Sequence, residues 1–262
     1  VESFKPSTLP SRCIPYSFNE IEMEPFRIAQ IMQLSRAVAL DSIQPAIEAM
    51  DSVLNVDVNE LTDGDFYYLL AYQRLNAYSN SPLLAQWECG GTVFQEQDGL
   101  KRTFTSEQLR ALVDEYDNAS EEDREHLTNP DDLTVTSIPC KHQNRVEIKL
   151  DHLTTVFLEQ EKLPDGLDFP RISTLVDTQV RSKDPAEERV AHAARWIQPG
   201  NTLEEKIDIL HNQPTLALFE KALQANATVV HGVSQIIVLP CEHCGQMSEH
   251  IFNISPKTFF DV

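Results

Sequence analysis

Two cysteines three positions apart stand in Ile236-Ile-Val-Leu-Pro-Cys241-Glu-His-Cys244-Gly245. Proline before and glycine after such a pair favour a tight turn that aims both sulfurs at one ion. Apolar runs on either side, Ile236 to Leu239 and Ile251 to Ile254, predict the two strands of a hairpin around it. That is half of a zinc ribbon, and a structural zinc takes four ligands. Cys140, in Ser137-Ile-Pro139-Cys140-Lys-His142, repeats the Pro-Cys grammar ahead of an alternating stretch, Val146-Glu-Ile148-Lys-Leu150. Cys89, in Trp87-Glu-Cys89-Gly-Gly91, is followed by two glycines that leave backbone free to curl around an ion. The expected site is therefore Cys89, Cys140, Cys241 and Cys244 around a structural Zn2+. His142 or His243 stands ready as substitute where one thiolate is out of reach. Of the five cysteines, Cys13 is left over as an isolated thiol.

Other chemistries fit the same residues less well. A redox Cys-x-x-Cys usually opens a helix, whereas a strand is expected after Cys244. A zinc deaminase shares the Pro-Cys-x-x-Cys half but also needs an upstream His-x-Glu. The nearest candidate, His192-Ala193-Ala194, has alanine where the glutamate must be. Catalytic zinc keeps one coordination position for water, and four thiolates close it. Glu249 and His250 lie near the cysteines at positions expected to be solvated. With eight glycines in all, no phosphate-cradling loop or nucleophile elbow is found. The expectation is a protein that is not an enzyme.

The chain carries a formal charge of -20. A zinc ribbon suggests nucleic acid, but this surface repels a phosphate backbone, and no Lys/Arg stripe interleaved with aromatics offsets it. Nucleic acid is thus not an expected partner. No apolar run approaches ~20 residues, so no membrane span is expected. Scattered cysteines in odd number and the lack of a basic-apolar leader point to folding in a cytoplasm.

These cysteines must be positioned by elements far apart in the chain. Residues 1–24, with Pro6, Pro10 and Pro15, read as an extended N-terminal arm. Phe26, Ile28, Ile31, Met32 and Leu34 predict a helix to about Leu40, and Ile43, Ile47 and Met50 a second. Thr62 and Asp65 resemble a capping box ahead of Phe66-Tyr-Tyr-Leu69-Leu70, a helix apolar almost all round and hence central. Residues 90–139 hold twelve Asp or Glu against four Lys or Arg and read as an acidic helical insertion, with a capping box at Thr105 and Gln108. A turn at Pro164-Asp-Gly166 follows. Asp184 and Pro185, then Thr202 with Glu205, then Pro214 open three further helices. From Val229 the chain returns to strand, making 229–262 the C-terminal half of the ribbon. The fold expected is α+β: one composite domain over 1–262, mainly helical, built around a zinc-ribbon-like β element whose ligands come from distant parts of the chain.

Four features in order give a resemblance. They are the Pro-rich start (Leu9-Pro10 to Pro15-Tyr16), the Leu61-Thr62-x-x-Asp65-x-Tyr67-x-Leu69-Leu70 helix running to Arg74 and Tyr78, a Cys after Trp87 with a strand beyond, and a Cys241-x-x-Cys244 hairpin ending in Phe259-Phe260. In this the chain resembles the baseplate hub and hub-assembly proteins of T-even-like contractile-tailed phages. The likeness covers most of the chain except 90–139, which splits the first metal knuckle. It implies a non-enzymatic tail component or assembly factor, carrying Cys89, Cys140, Cys241 and Cys244 as metal ligands. It further implies other baseplate and tail proteins as partners, multiple copies in a symmetric assembly, and the host cytoplasm or the virion baseplate as location; the rival reading of the same residues is a cytoplasmic zinc-ribbon protein adaptor in transcription or quality control.

Overall fold

The computed structural model describes residues 1–77, 82–96, 102–130, 134–159, 162–181 and 184–252. In chain order they form β1 (Glu2–Phe4), β2 (Ile21–Met23), α1 (Ile28–Leu40), α2 (Gln44–Asp51), α3 (Asp63–Ala77), β3 (Leu84–Glu88), β4 (Thr92–Glu96) and β5 (Thr103–Phe104). Next come α4 (Ser106–Asn118), α5 (Glu121–Arg124), β6 (Val135–Pro139), β7 (Gln143–Glu147), β8 (Thr155–Val156), α6 (Leu175–Arg181) and α7 (Pro185–Ala194). The chain closes with α8 (Leu203–His211), α9 (Ala217–Thr228), β9 (Gly232–Val233), β10 (Ile236–Pro240) and β11 (Met247–Ile251). Helix and sheet are mixed, an α+β chain. Among the described residues no helix is long and apolar enough to cross a membrane.

Packing divides the chain, read from sequence as one composite domain over 1–262, into two compact units. The first is Val1–Pro82, Lys149–Gln235 and Phe252–Val262; the second is Leu83–Ile148 and Ile236–Ile251.

The first unit is helical and built on α3. Phe66, Leu69, Leu70 and Ala71 are buried, as a helix apolar on most sides requires. Around it pack Leu34 of α1, Ala46, Ile47 and Met50 of α2, and Ile172. Residues 1–24, expected as an extended arm, pack within this unit. β1 pairs antiparallel with β2, and Phe4, Leu9, Cys13, Ile21 and Met23 are buried. A polar tie fixes this segment. Ser11 N and Oγ donate to the two carboxylate oxygens of Asp65 at 2.9 and 2.5 Å, and Tyr16 Oη donates to Asp65 Oδ2 at 2.6 Å. Asp65 consequently does not reach back to cap α3; the Thr62 N–H donates instead to Tyr16 Oη at 2.9 Å. A second, part-buried tie joins distant parts of the chain, where Arg195 clamps Asp63 at the start of α3 through both Nη atoms at 2.6 and 2.5 Å. The local helix signals at 184–211 hold: Asp184 Oδ1 accepts from Ala186 N, and Thr202 and Glu205 close a full capping box. Pro214 lies ahead of α9 rather than opening it, the helix starting at Ala217.

The second unit is mostly strand. β3 pairs with β7 and β4 with β6, both antiparallel. Glu88 faces Gln143 in the first ladder and Thr92 faces Pro139 in the second, so one pairing frame runs through both. Residues 84–96 and 135–147 are thus a single long ribbon, interrupted only at Cys89-Gly-Gly91 opposite Cys140-Lys-His142. Across the interruption Cys89 N donates to His142 O at 2.9 Å and Cys140 N to Gly91 O at 2.8 Å, keeping the frame. The 90–139 segment is accordingly not a helical insertion throughout: its ends are β4 and β6, with α4 and α5 in between. The box at Thr105 and Gln108 caps α4 as the sequence predicts.

The other part of this unit is the hairpin β10–β11, in which Ile236 faces Ile251 and Pro240 faces Met247. Its second strand is Met247–Ile251, which takes in the first residue of the expected Ile251 to Ile254 run, the last two of which lie outside the described residues; the strand after Cys140 is Gln143–Glu147 rather than 146–150. Pairing with a fixed partner strand, not the apolar run, sets both bounds. Of the expected 229–262 ribbon half, Gly232–Val233 instead pairs with β8, and the Phe259-Phe260 tail lies outside the described residues.

Candidate metal centre

The Sγ atoms of Cys89, Cys140, Cys241 and Cys244 all lie within 4.8 Å of one another. All four cysteines belong to the second unit. Two come from the ribbon and two from the hairpin, so strand register brings together Cys89 and Cys140 across the 50 residues between them. In the continuing frame residue 89 stands opposite 142, and strand side chains alternate, so Cys140 two places away shares its face. Cys89, Cys140 and Cys241 are about 2% exposed and Cys244 is half-buried, with Val93 and Ile138 packed against them.

The turns that present the sulfurs are built from backbone. Gly245, in the left-handed conformation at φ 71°, closes the hairpin turn, which only glycine adopts freely. Gly245 N donates to Cys241 O and Cys241 N to Gln246 O, both at 2.9 Å. In the first turn Gly91 N donates to Cys89 Sγ at 3.2 Å. A side chain at Gly91 has no room, since a Cβ there stands 2.8 Å from Gln246 Cβ and 3.0 Å from Cys244 Sγ. At Gly90 the space is open.

Electrostatics single out one sulfur. Burial raises the Cys241 thiol, but the amides of Cys244 and His243, the Asn144 side chain and Cys89 outweigh it and bring its pKa down to about 6. Burial, with Cys89, Cys140 and Cys241 as neighbours, pushes Cys244 up to about 12. Burial likewise raises Cys89. A cation bound by the four sulfurs would hold them as thiolates.

The donor set fits a tetrahedral cation. Zinc–sulfur bonds of about 2.3 Å place the sulfurs of a tetrahedron about 3.8 Å apart. Cys89 and Cys244 Sγ are 3.5 Å apart, and Cys140 and Cys241 Sγ 4.0 Å, on either side of that value. Among the described residues these four form the one grouping of three or more metal-type ligands. The substitutes considered from sequence, His142 and His243, stay outside the sulfur cluster; both are exposed, their rings facing one another with centroids 5.6 Å apart. His250 is not simply solvated, being half-buried against Trp87 at 4.4 Å between centroids. Cys13 belongs to the first unit, where burial and the Asp65 carboxylate push its thiol up to about 11.

Sequence reading missed Asn144. This residue of β7 is 3% exposed, and its Oδ1 accepts from Glu242 N at 3.0 Å while its Nδ2 donates to His142 O at 3.3 Å. An asparagine four places after Cys140, in the middle of an alternating strand, was the available signal. In comparison with known proteins, the chain matches no protein-family model, no curated protein and no solved structure.

Proposed function

We propose that Cys89, Cys140, Cys241 and Cys244 hold one structural Zn2+ in a zinc-ribbon-like unit, and that the chain is a non-enzymatic structural or assembly component acting through protein contacts. The observation that carries this reading is the closed set of four converging sulfurs, three of them buried. A catalytic zinc keeps three protein ligands and a water, and here a fourth sulfur takes the water's place. Soft thiolates select zinc over hard cations such as Mg2+ or Ca2+. Apparent binding free energies of about 10–16 kcal/mol for such sites match the whole stability of a typical domain, about 5–15 kcal/mol. The ion therefore decides whether this small unit folds.

The setting we propose is the baseplate hub region of a contractile phage tail, with other baseplate and tail proteins as partners. It is supported by the ordered features that run from the Leu9-Pro10 start through the Leu61–Tyr78 segment to the Cys241–Cys244 hairpin. The charge of -20 supports protein rather than nucleic-acid partners.

Elemental analysis of protein purified without chelator tests the metal. One zinc per chain is expected for the wild type, and a large loss for Cys241→Ser; a wild type free of zinc overturns the ligand assignment. Mass spectrometry of tail intermediates and finished virions of a phage encoding the chain tests the setting. Absence from both rejects it.

A further inference from the structure

We infer that Asn144 is a positioning residue of the metal centre: its side chain joins the two cysteine turns and holds the sulfurs in place for the ion. The inference rests on the zinc reading above.

Cys140 and Cys241 belong to turns 101 residues apart in sequence. One way to keep them facing is the ion itself. The structure shows another. The Asn144 side chain accepts from the Glu242 backbone, inside the Cys241–Cys244 turn, and donates to the His142 carbonyl, inside the Cys140 turn. That same carbonyl receives the Cys89 N–H, so one amide side chain connects the backbone beside three of the four ligands. The geometry also suits no shorter or purely apolar residue. A buried amide with both ends bonded is stabilising, whereas removing it takes the acceptor from the Glu242 N–H and leaves the His142 carbonyl only the Cys89 N–H. Groups that orient and bond ligands in this way typically change metal affinity 10–100-fold when lost.

Two variants divide the acceptor bond from the donor bond. Asn144→Ala loses both bonds. Asn144→Asp keeps the shape and still accepts from Glu242 N, but it cannot donate to the His142 carbonyl and sets a negative charge beside the sulfurs. Each protein is loaded with zinc, and release into a chromogenic chelator is timed; Co2+ substitution then reports ligand geometry through its d–d and sulfur-to-metal absorption bands. Starting from loaded protein gives a release rate even for a variant that assembles only with metal. Both variants are expected to release zinc about 10–100-fold faster than wild type, with shifted cobalt bands, and Asn144→Asp at least as fast as Asn144→Ala. Wild-type release rates and cobalt spectra in both variants overturn the inference while leaving the zinc reading intact. Rescue by Asn144→Asp overturns the donor half of it. Failure of the wild type itself to bind either metal removes the zinc reading, and this inference with it.

Discussion

At the scale of single residues, His231 shows how burial becomes pH dependence. Its Nε2 lies 2.8 Å from Thr62 Oγ1, and Gly64 packs so close that a Cβ there stands 2.6 Å from the His231 ring. Burial lowers the His231 pKa, with Asp65 and Asp63 pulling the other way. The folded chain thus keeps the imidazole neutral at pH values where the unfolded chain, with a pKa of about 6.5, has already bound a proton. Protons then favour the unfolded form. The stability held by the neutral ring is complete above about pH 6.5 and is lost progressively below it, until the lowered folded pKa is passed. We expect the urea midpoint of the first unit to fall between pH 7 and 5, and His231→Gln to flatten that dependence. An unchanged slope in the variant assigns the effect to other groups.

At the scale of elements, the two glycines after Cys89 give a matched test. Gly91→Ala drives a methyl group into Gln246 and the Cys244 sulfur, while Gly90→Ala meets nothing within 4 Å. The first is expected to destabilise the second unit by about 1–3 kcal/mol and to weaken metal retention; the second leaves both near wild type. Thermal melts with and without added zinc read the difference, and equal behaviour of the two variants refutes the close approach. The same elements show what sequence can carry. Signals that act within four residues were legible: the boxes at Thr105–Gln108 and Thr202–Glu205 and the Asp184 cap appear where the sequence predicts them. The Thr62–Asp65 pair has the same spelling but a different fate, because Ser11 and Tyr16 claim the Asp65 carboxylate from about fifty residues away. What covers the N-terminal segment was not legible for the same reason: its prolines are local, and the partners that bury Leu9 and Ile21 are not. That the four cysteines group was legible from residue type and the repeated Pro-Cys turn. How Cys89 reaches Cys140 was not, since strand register is set by the partner strand and leaves no local mark.

At the scale of the whole molecule, one unit holds the sulfur cluster and the other holds the large apolar core. Stripping metal with a strong chelator is expected to expose amides of 83–148 and 236–251 to hydrogen exchange while those of α3 remain protected. Collapse of protection in both units together rules out independent stability. The continuous pairing frame of the ribbon has one more consequence. Because side chains alternate along a strand, losing one residue between Leu84 and Cys89 would turn that sulfur to the opposite face. No such arithmetic governs the stretch beyond the far end of β4, which begins and ends away from the turns. Drift in length is therefore forbidden over a handful of positions beside the cysteines, and permitted over the acidic tract between the paired strands.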